Sequence, residues 1–178
     1  LMIAYSAYFS TFSIQRHNTF RTRASDMGQM DQALWNTLHG DILQDTRADG
    51  HNAPRLTDHV EPIFLVVPFV LLIYSGIESL FVLQSIAIAL GALPIFWIAK
   101  RRLKNDWAAV AFAAMYLLFP ALQAANLAEF HAITFAPAPL MFAYNYAQER
   151  AWKRFILFAF LALMVQEDIA LLVFTMAA

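Results

Sequence analysis

Long apolar stretches separated by polar clusters set the organisation of this chain. Residues 1–14 form a first apolar run. It falls short of the ~20 residues of a full membrane span and reads as the outer part of a first membrane helix. Residues 15–61 are a long polar loop. Inside it Met27, Met30, Leu34 and Leu38 recur at three- and four-residue spacing, and Trp35 widens the stripe. That pattern predicts an amphipathic helix lying on a membrane surface or under a lid. Ser25 and Asp26 are both good N-cap types, with Gln29 placed as in a capping box, and Gly40 supplies a C-terminus. Asp41 to Pro54, with Gly50 and several Asp and Asn residues, is expected to be irregular.

Residues 62–76 are apolar, but the run from Pro62 to Tyr74 is too short to cross. It predicts an interfacial or partly re-entrant helix. Residues 77–99 are long enough to span, and Lys100, Arg101, Arg102 and Lys104 follow. Residues 107–125 make the next span, with Pro120 near its end, and residues 126–131 a short polar turn. Residues 133–148 make a third, kinked or unwound in its first half by Pro137 and Pro139. Arg150, Lys153 and Arg154 precede the last span, residues 155–178, which Gln166, Glu167 and Asp168 interrupt. The expectation is an all-α, polytopic helical membrane protein, one integral membrane domain with a long external loop. No internal repeat or low-complexity segment is present.

Composition agrees with this. The 178 residues are 60% hydrophobic and 14% charged, and mean hydropathy is +0.52. A soluble domain is about 45–50% apolar and about 25% charged. A net charge of −1 points away from nucleic acid. With no cysteine there is no disulfide, thiolate metal site or thiol nucleophile. The chain starts at Leu1 and ends inside an apolar run, so it reads as a fragment of a longer chain. A signal peptide fits the first residues less well, since a basic start and a small-residue cleavage site are missing. After Pro62 all seven basic residues fall in two clusters, at 100–104 and 150–154. The positive-inside rule places both in the cytoplasm and leaves the long loop and the 126–131 turn outside.

This topology collects Asp26, Asp31, Asp58, His59, Glu61, Glu129 and His131 at the external side, with Glu167 and Asp168 in the outer half of the last span. A charge at membrane depth costs about 3 kcal/mol or more and faces a cavity or a partner. Two readings compete at most of these positions. Asp26 is an N-cap or a general base, and Asp31 a satisfied buried acid or a catalytic one. His59 and His131 are interfacial hydrogen-bonders or ligands. Arg21, Arg23 and Arg55 are loop charges or phosphate-binding forks.

The stretch D-Q-A-L-W-N-T-L-H-G at 31–40, preceded by Asp26, and the segments D-H-V-E-P, E-F-H and Q-E-D carry a resemblance. They resemble an uncharacterised prokaryotic family of predicted membrane proteins, domain of unknown function 2079. Glu129 stands where that family more often has aspartate, and Gln166 where it has lysine, which removes a positive charge beside the acids. The family in turn resembles the GT-C glycosyltransferases, membrane enzymes that use polyprenyl-phosphate sugars and carry a catalytic acid in the first external loop. The resemblance implies Asp26 and Asp31 as catalytic, and Arg23 and Arg55 as phosphate-binding. It implies a polar cavity of His59, Glu129, His131, Glu167 and Asp168. His59, His131 and Glu167 are the candidate ligands of a divalent metal whose identity the sequence does not choose. The implied partners are membrane lipid and a polyprenyl-phosphate sugar, in a multi-pass protein of the cell (inner) membrane. Two other functions stay open: an ion-coupled transporter built on Glu167 and Asp168, and a non-catalytic membrane scaffold.

Overall fold

The structure is a computed structural model that describes residues 1–47 and 49–177, without the side chains of residues 24–26 and 177. Among these residues the chain forms nine α-helices and one small hairpin. Helix α1 (Met2–Asn18) packs along α3 (Glu78–Leu90), which runs on through Gly91 into α4 (Ala92–Leu103). Together α3 and α4 are one apolar helix of 26 residues. At 1.5 Å per residue that is about 39 Å, ample for a hydrocarbon core of about 30 Å.

Helix α5 (Asp106–Leu117) returns beside α4, and α6 (Pro120–Leu127) continues it after a 46° bend. Phe119 is extended at this bend because the residue before a proline avoids helical dihedrals. Helix α7 (Pro137–Gln148) pairs with α8 (Trp152–Leu163), and α9 (Ile169–Ala177) follows a break at 164–168. Val173 and Met176 of α9 pack back onto the cluster of Ala143, Phe155 and Ala159.

The two basic clusters lie together at one end of the bundle. Arg101 donates to Glu149 Oε1 and Asn145 Oδ1, both at 2.6 Å, and Arg102 to Gln148 Oε1 at 3.1 Å. The α4–α5 and α7–α8 turns therefore share a basic end. The long loop and the 128–131 turn occupy the other, the loop end. Large apolar side chains such as Ile3, Ile73, Trp107 and Phe174 are more than two-thirds exposed, a surface suited to lipid.

Four expectations about elements need correction. Among the described residues one helix is long and apolar enough to span, or two with the bent pair α5–α6, in place of four continuous spans. The segment expected to span 133–148 opens with a 3-10 turn at Ala132–Phe135, and the α-helix starts at Pro137, where the missing N–H is harmless. The segment expected to span 155–178 is cut by the 164–168 break. The chain is also mostly rather than wholly helical. Strands β1 (Gln44–Thr46) and β2 (Asn52–Pro54) pair antiparallel within the loop.

The 62–76 segment, expected as an interfacial helix, is a pair of 3-10 segments, Pro62–Leu65 and Val67–Leu72. Pro68 cannot donate to the carbonyl of Phe64, so the α pattern fails there and the tighter turn takes over. Its Phe64, Val67 and Leu71 are buried, and Val66, Phe69 and Ile73 are exposed.

Helix α2 (Ala24–Leu38) organises the loop end. It starts with Arg23 at the N-cap position, so Ser25 and Asp26 fall in its first turn, not at the cap. Met27, Met30, Ala33 and Leu34 are at most 2% exposed. Met27, Met30 and Leu34 pack in one core with Leu43, Phe64, Leu71 and Phe130. The stripe is thus covered by protein and does not lie on a membrane. Burying each of these larger side chains contributes about 1.5–3 kcal/mol. Trp35 does not widen the stripe: it is exposed and stacks on His39, ring centroids 3.7 Å apart.

The polar face of α2 holds the hairpin. Gln32 accepts from Thr46 N and donates to Thr46 Oγ1, and Asn36 Nδ2 donates to Gln44 O. At its C-terminus Asp41 N reaches Asn36 O at 3.0 Å, with Gly40 at φ 102°. That is a Schellman stop, and it needs the left-handed backbone that glycine adopts freely.

Candidate functional site

The polar residues of the loop end form two groups. The first surrounds the α1–α2 junction. Glu129 Oε1 accepts from the backbone N–H of Arg23 at 2.5 Å, so a carboxylate occupies the positive end of α2. Phe130 N donates to Met27 Sδ at 3.2 Å, fixing the 128–131 turn to the same helix. Asp31 is half-buried on α2. Burial pushes its carboxyl above the usual range, and nearby His17 pulls it partly back. His17 closes α1, its Nδ1 3.0 Å from Thr22 Oγ1 and its ring 5.8 Å from that of Phe81. Asp26 lies two turns or less from these residues on α2, and its side chain is outside the described residues.

The second group sits where the end of the loop crosses the α8–α9 break. His59 Nδ1 stands 3.0 Å from Glu167 Oε1, and Val60 N donates to Glu167 Oε2 at 2.9 Å. Ile63 N donates to Met164 O at 2.7 Å. The loop thereby supplies a donor to the Met164 carbonyl, which a continuous helix would have satisfied itself, and two more to the Glu167 carboxylate. The hydrogen bond it donates to Glu167 raises the His59 imidazolium above its ordinary range, Glu61 adding to it and Arg55 opposing. Glu61 is buried at 5% exposure and pairs with Arg55 Nε at 3.1 Å. Burial pushes its carboxyl up, against the pull of Arg55. The Arg55 guanidinium also lies 5.6 Å from the centre of the Phe64 ring. Beyond it Arg47 bonds Asp58 and stands 3.0 Å from Asp45 Oδ1.

Between the groups stands an apolar wall. Met27, Phe130 and Phe64 are at most 2% exposed, and the two phenyl rings lie 6.0 Å apart. The candidate cavity residues are therefore divided, with Glu129 on one side and His59 and Glu167 on the other. His131 joins neither group. Its Nδ1 turns to its own turn, 2.6 Å from Glu129 O, and its N–H donates to Gln84 Oε1. His59 and Glu167 meet, but no group of three His, Asp, Glu or Cys among the described residues is arranged to hold a metal ion. Glu167 and Asp168 are exposed in the break and not inside a span.

Sequence reasoning missed His17 and a buried relay beneath the site. Gln84, Ser85, Asn126 and Thr134 are at most 3% exposed. Gln84 Oε1 accepts from His131 N and Thr134 Oγ1, and its Nε2 donates to Asn126 O. Ser85 Oγ donates to Asn126 Oδ1, and Asn126 Nδ2 to the Tyr5 hydroxyl. These neutral polar residues leave no mark on hydropathy. The signal that could have found them is the pairing of amide side chains on two apolar helices, since each needs a partner in lipid.

No curated protein and no solved structure matches this chain. The family model described as "Predicted membrane protein (DUF2079)" matches residues 16–178, which takes in α2, both polar groups and the α8–α9 break. The chain belongs to the DUF2079 family of predicted membrane proteins.

Proposed function

We propose that this protein is a glycosyltransferase of GT-C type that takes a polyprenyl-phosphate sugar at the external membrane face, with the chemistry at the α1–α2 junction. The observation that carries the reading is Asp31. It lies about two turns into α2, the helix that follows α1 after a short connection, half-buried, with its carboxyl raised by burial and His17 pulling it partly back. A carboxylate tuned upward is better matched to taking a proton near neutral pH. In glycosyl transfer it would accept the proton of the attacking acceptor hydroxyl while the bond from the sugar to the lipid phosphate breaks. Asp26 on the same helix is the second candidate for that role.

Arg55 pairs with Glu61 in the group at the α8–α9 break, across the apolar wall from Asp31, so the proposal assigns it no role in the transfer step. Arg23 stands where Glu129 already occupies the helix N-terminus, which disfavours a second anion there.

The test is transfer from polyprenyl-phosphate donors bearing radiolabelled sugars, in membranes containing the full chain. Asp31→Asn is expected to lower transfer by about 10²–10⁴-fold, as loss of a general base does, with expression and melting temperature unchanged. Full activity in both Asp31→Asn and Asp26→Asn, or no transfer by the wild type from any such donor, would refute the proposal.

A further inference from the structure

A groove runs along the bundle surface between α1 and α3. It has two parts, of about 510 and 670 Å³, which share Ile14, Val82 and Ile86 and are therefore continuous. The part nearer the middle of the bundle is floored by the small side chains Ser6, Ala7 and Ser10. The other part reaches the loop end and closes at Tyr74 and Glu78. Met2 to Ile14 on α1 and Glu78 to Leu90 on α3 each cover twelve residue steps, about 18 Å of helix. One leaflet of hydrocarbon is about 15 Å deep. The groove thus matches one lipid chain in length and lies parallel to the helices that cross the bilayer.

Its single charge is at its headgroup end. Glu78 is half-buried and folds back over Gly76, where a Cβ would fall 2.3 Å from Glu78 Oε2. Among the described residues no Lys, Arg or His pairs with it. The neighbouring hydroxyl of Ser79 is already spent on Gly76 O at 2.8 Å. A lone carboxylate at the mouth of an apolar groove repels anionic headgroups. It accepts hydrogen bonds and donates none, so its best partner is a primary ammonium with three N–H donors. A quaternary ammonium carries the same charge but offers no N–H.

We propose that the α1–α3 groove holds one chain of a membrane phospholipid whose headgroup bears a primary ammonium, seated on Glu78. This site is separate from the α1–α2 junction and does not depend on glycosyl transfer. Glu78 would turn a lipid phosphate donor away from it.

The experiment places the full chain in phosphatidylcholine vesicles. These are doped in turn with phosphatidylethanolamine, phosphatidylcholine or phosphatidylglycerol carrying a diazirine in one chain. After irradiation, adducts are mapped by mass spectrometry. Labelling at Ile14, Val82 or Ile86 is expected to be about five- to tenfold stronger with the ethanolamine lipid, the low end for a hydrogen bond to a partly exposed charge. Glu78→Gln should reduce that preference to about twofold or less, and Glu78→Asp should keep part of it. Equal labelling by all three lipids, a preference for phosphatidylglycerol, or an unchanged preference in folded Glu78→Gln would overturn the proposal. If the variants do not fold, the three-lipid comparison on the wild type decides it alone.

Discussion

Replacing Gln84 by leucine tests whether the buried relay holds the loop end in place. Gln84 is fully buried in α3. It makes three bonds, accepting from His131 N at 3.2 Å and Thr134 Oγ1 at 3.1 Å and donating to Asn126 O at 3.2 Å. Interhelical bonds in membranes contribute about 0.6 kcal/mol on average and up to about 1.7. Three give about 2–5 kcal/mol. Leucine is more apolar and of similar size, which returns part of this, so the net loss for Gln84→Leu is expected at about 2–4 kcal/mol. It can be measured as the shift in unfolding midpoint in mixed micelles titrated with a denaturing detergent. A cycle with Thr134→Val should show a coupling of about 0.6–1.7 kcal/mol, because the two residues are in direct contact. A change under about 0.5 kcal/mol, or a stabilised leucine variant, would refute the reasoning. The relay would then be a tolerated feature of the core and not a support for the 128–134 turn.

Gly91→Ala separates packing from propensity. Alanine is favoured over glycine by about 1 kcal/mol in a helix, and Gly91 has ordinary helical dihedrals. Its Cβ would lie 2.2 Å from the Tyr116 hydroxyl, which bonds Ile88 O at 3.0 Å, so a net loss of about 1–3 kcal/mol is expected in thermal melts; a gain would refute the close contact. The His59–Glu167 strap gives a pH dependence. His59 is raised above its ordinary value, so its contribution is complete below about pH 6.5 and is lost as pH rises through the raised value. Proteolysis of the 58–63 segment should accelerate on the alkaline side in the wild type, and lose that pH dependence in His59→Gln.

What the sequence made legible, and what it hid, follows from the range of each signal. The stripe of Met27, Met30 and Leu34 and the stop at Gly40 are local, set by periodicity and one φ angle, and both are present. What covers the stripe is not local. Phe64 and Phe130 come from segments tens of residues away, so a membrane surface looked as good a partner as a protein core. Trp35 is one residue beyond Leu34, about 100° around the helix, and hydrophobicity alone did not reveal that it faces outward. The three-residue strands are too short to leave a period-2 pattern.

Glu167 and Asp168 stand out as costly in an apolar run, and two physical responses exist to that cost. One is a polar cavity at membrane depth. The other is to break the helix and let the acids out, provided something satisfies the freed backbone. Choosing between them required knowing that Val60 and Ile63 reach Glu167 and Met164, a long-range fact absent from any window of sequence.

The division of the loop end by Met27, Phe130 and Phe64 then bears on how roles are assigned. Resemblance alone would gather every acid and histidine into one cavity. The geometry instead gives each group a different environment. Around the α1–α2 junction a half-buried acid stands near a histidine, with no described cation paired to it, and such a group remains available for proton transfer. At the break, His59, Glu61 and Glu167 are each already bonded to a charged or backbone partner. Of these pairs Glu61–Arg55 is the buried one, and there leaving either partner alone costs more than the pair contributes. On the reading proposed above, the first group is the reaction site and the second fastens the loop to the break. Both are anchored on segments of one loop, the first on α2 and the second on residues 55–63, and α2 packs directly on the 3-10 segment that continues from the second.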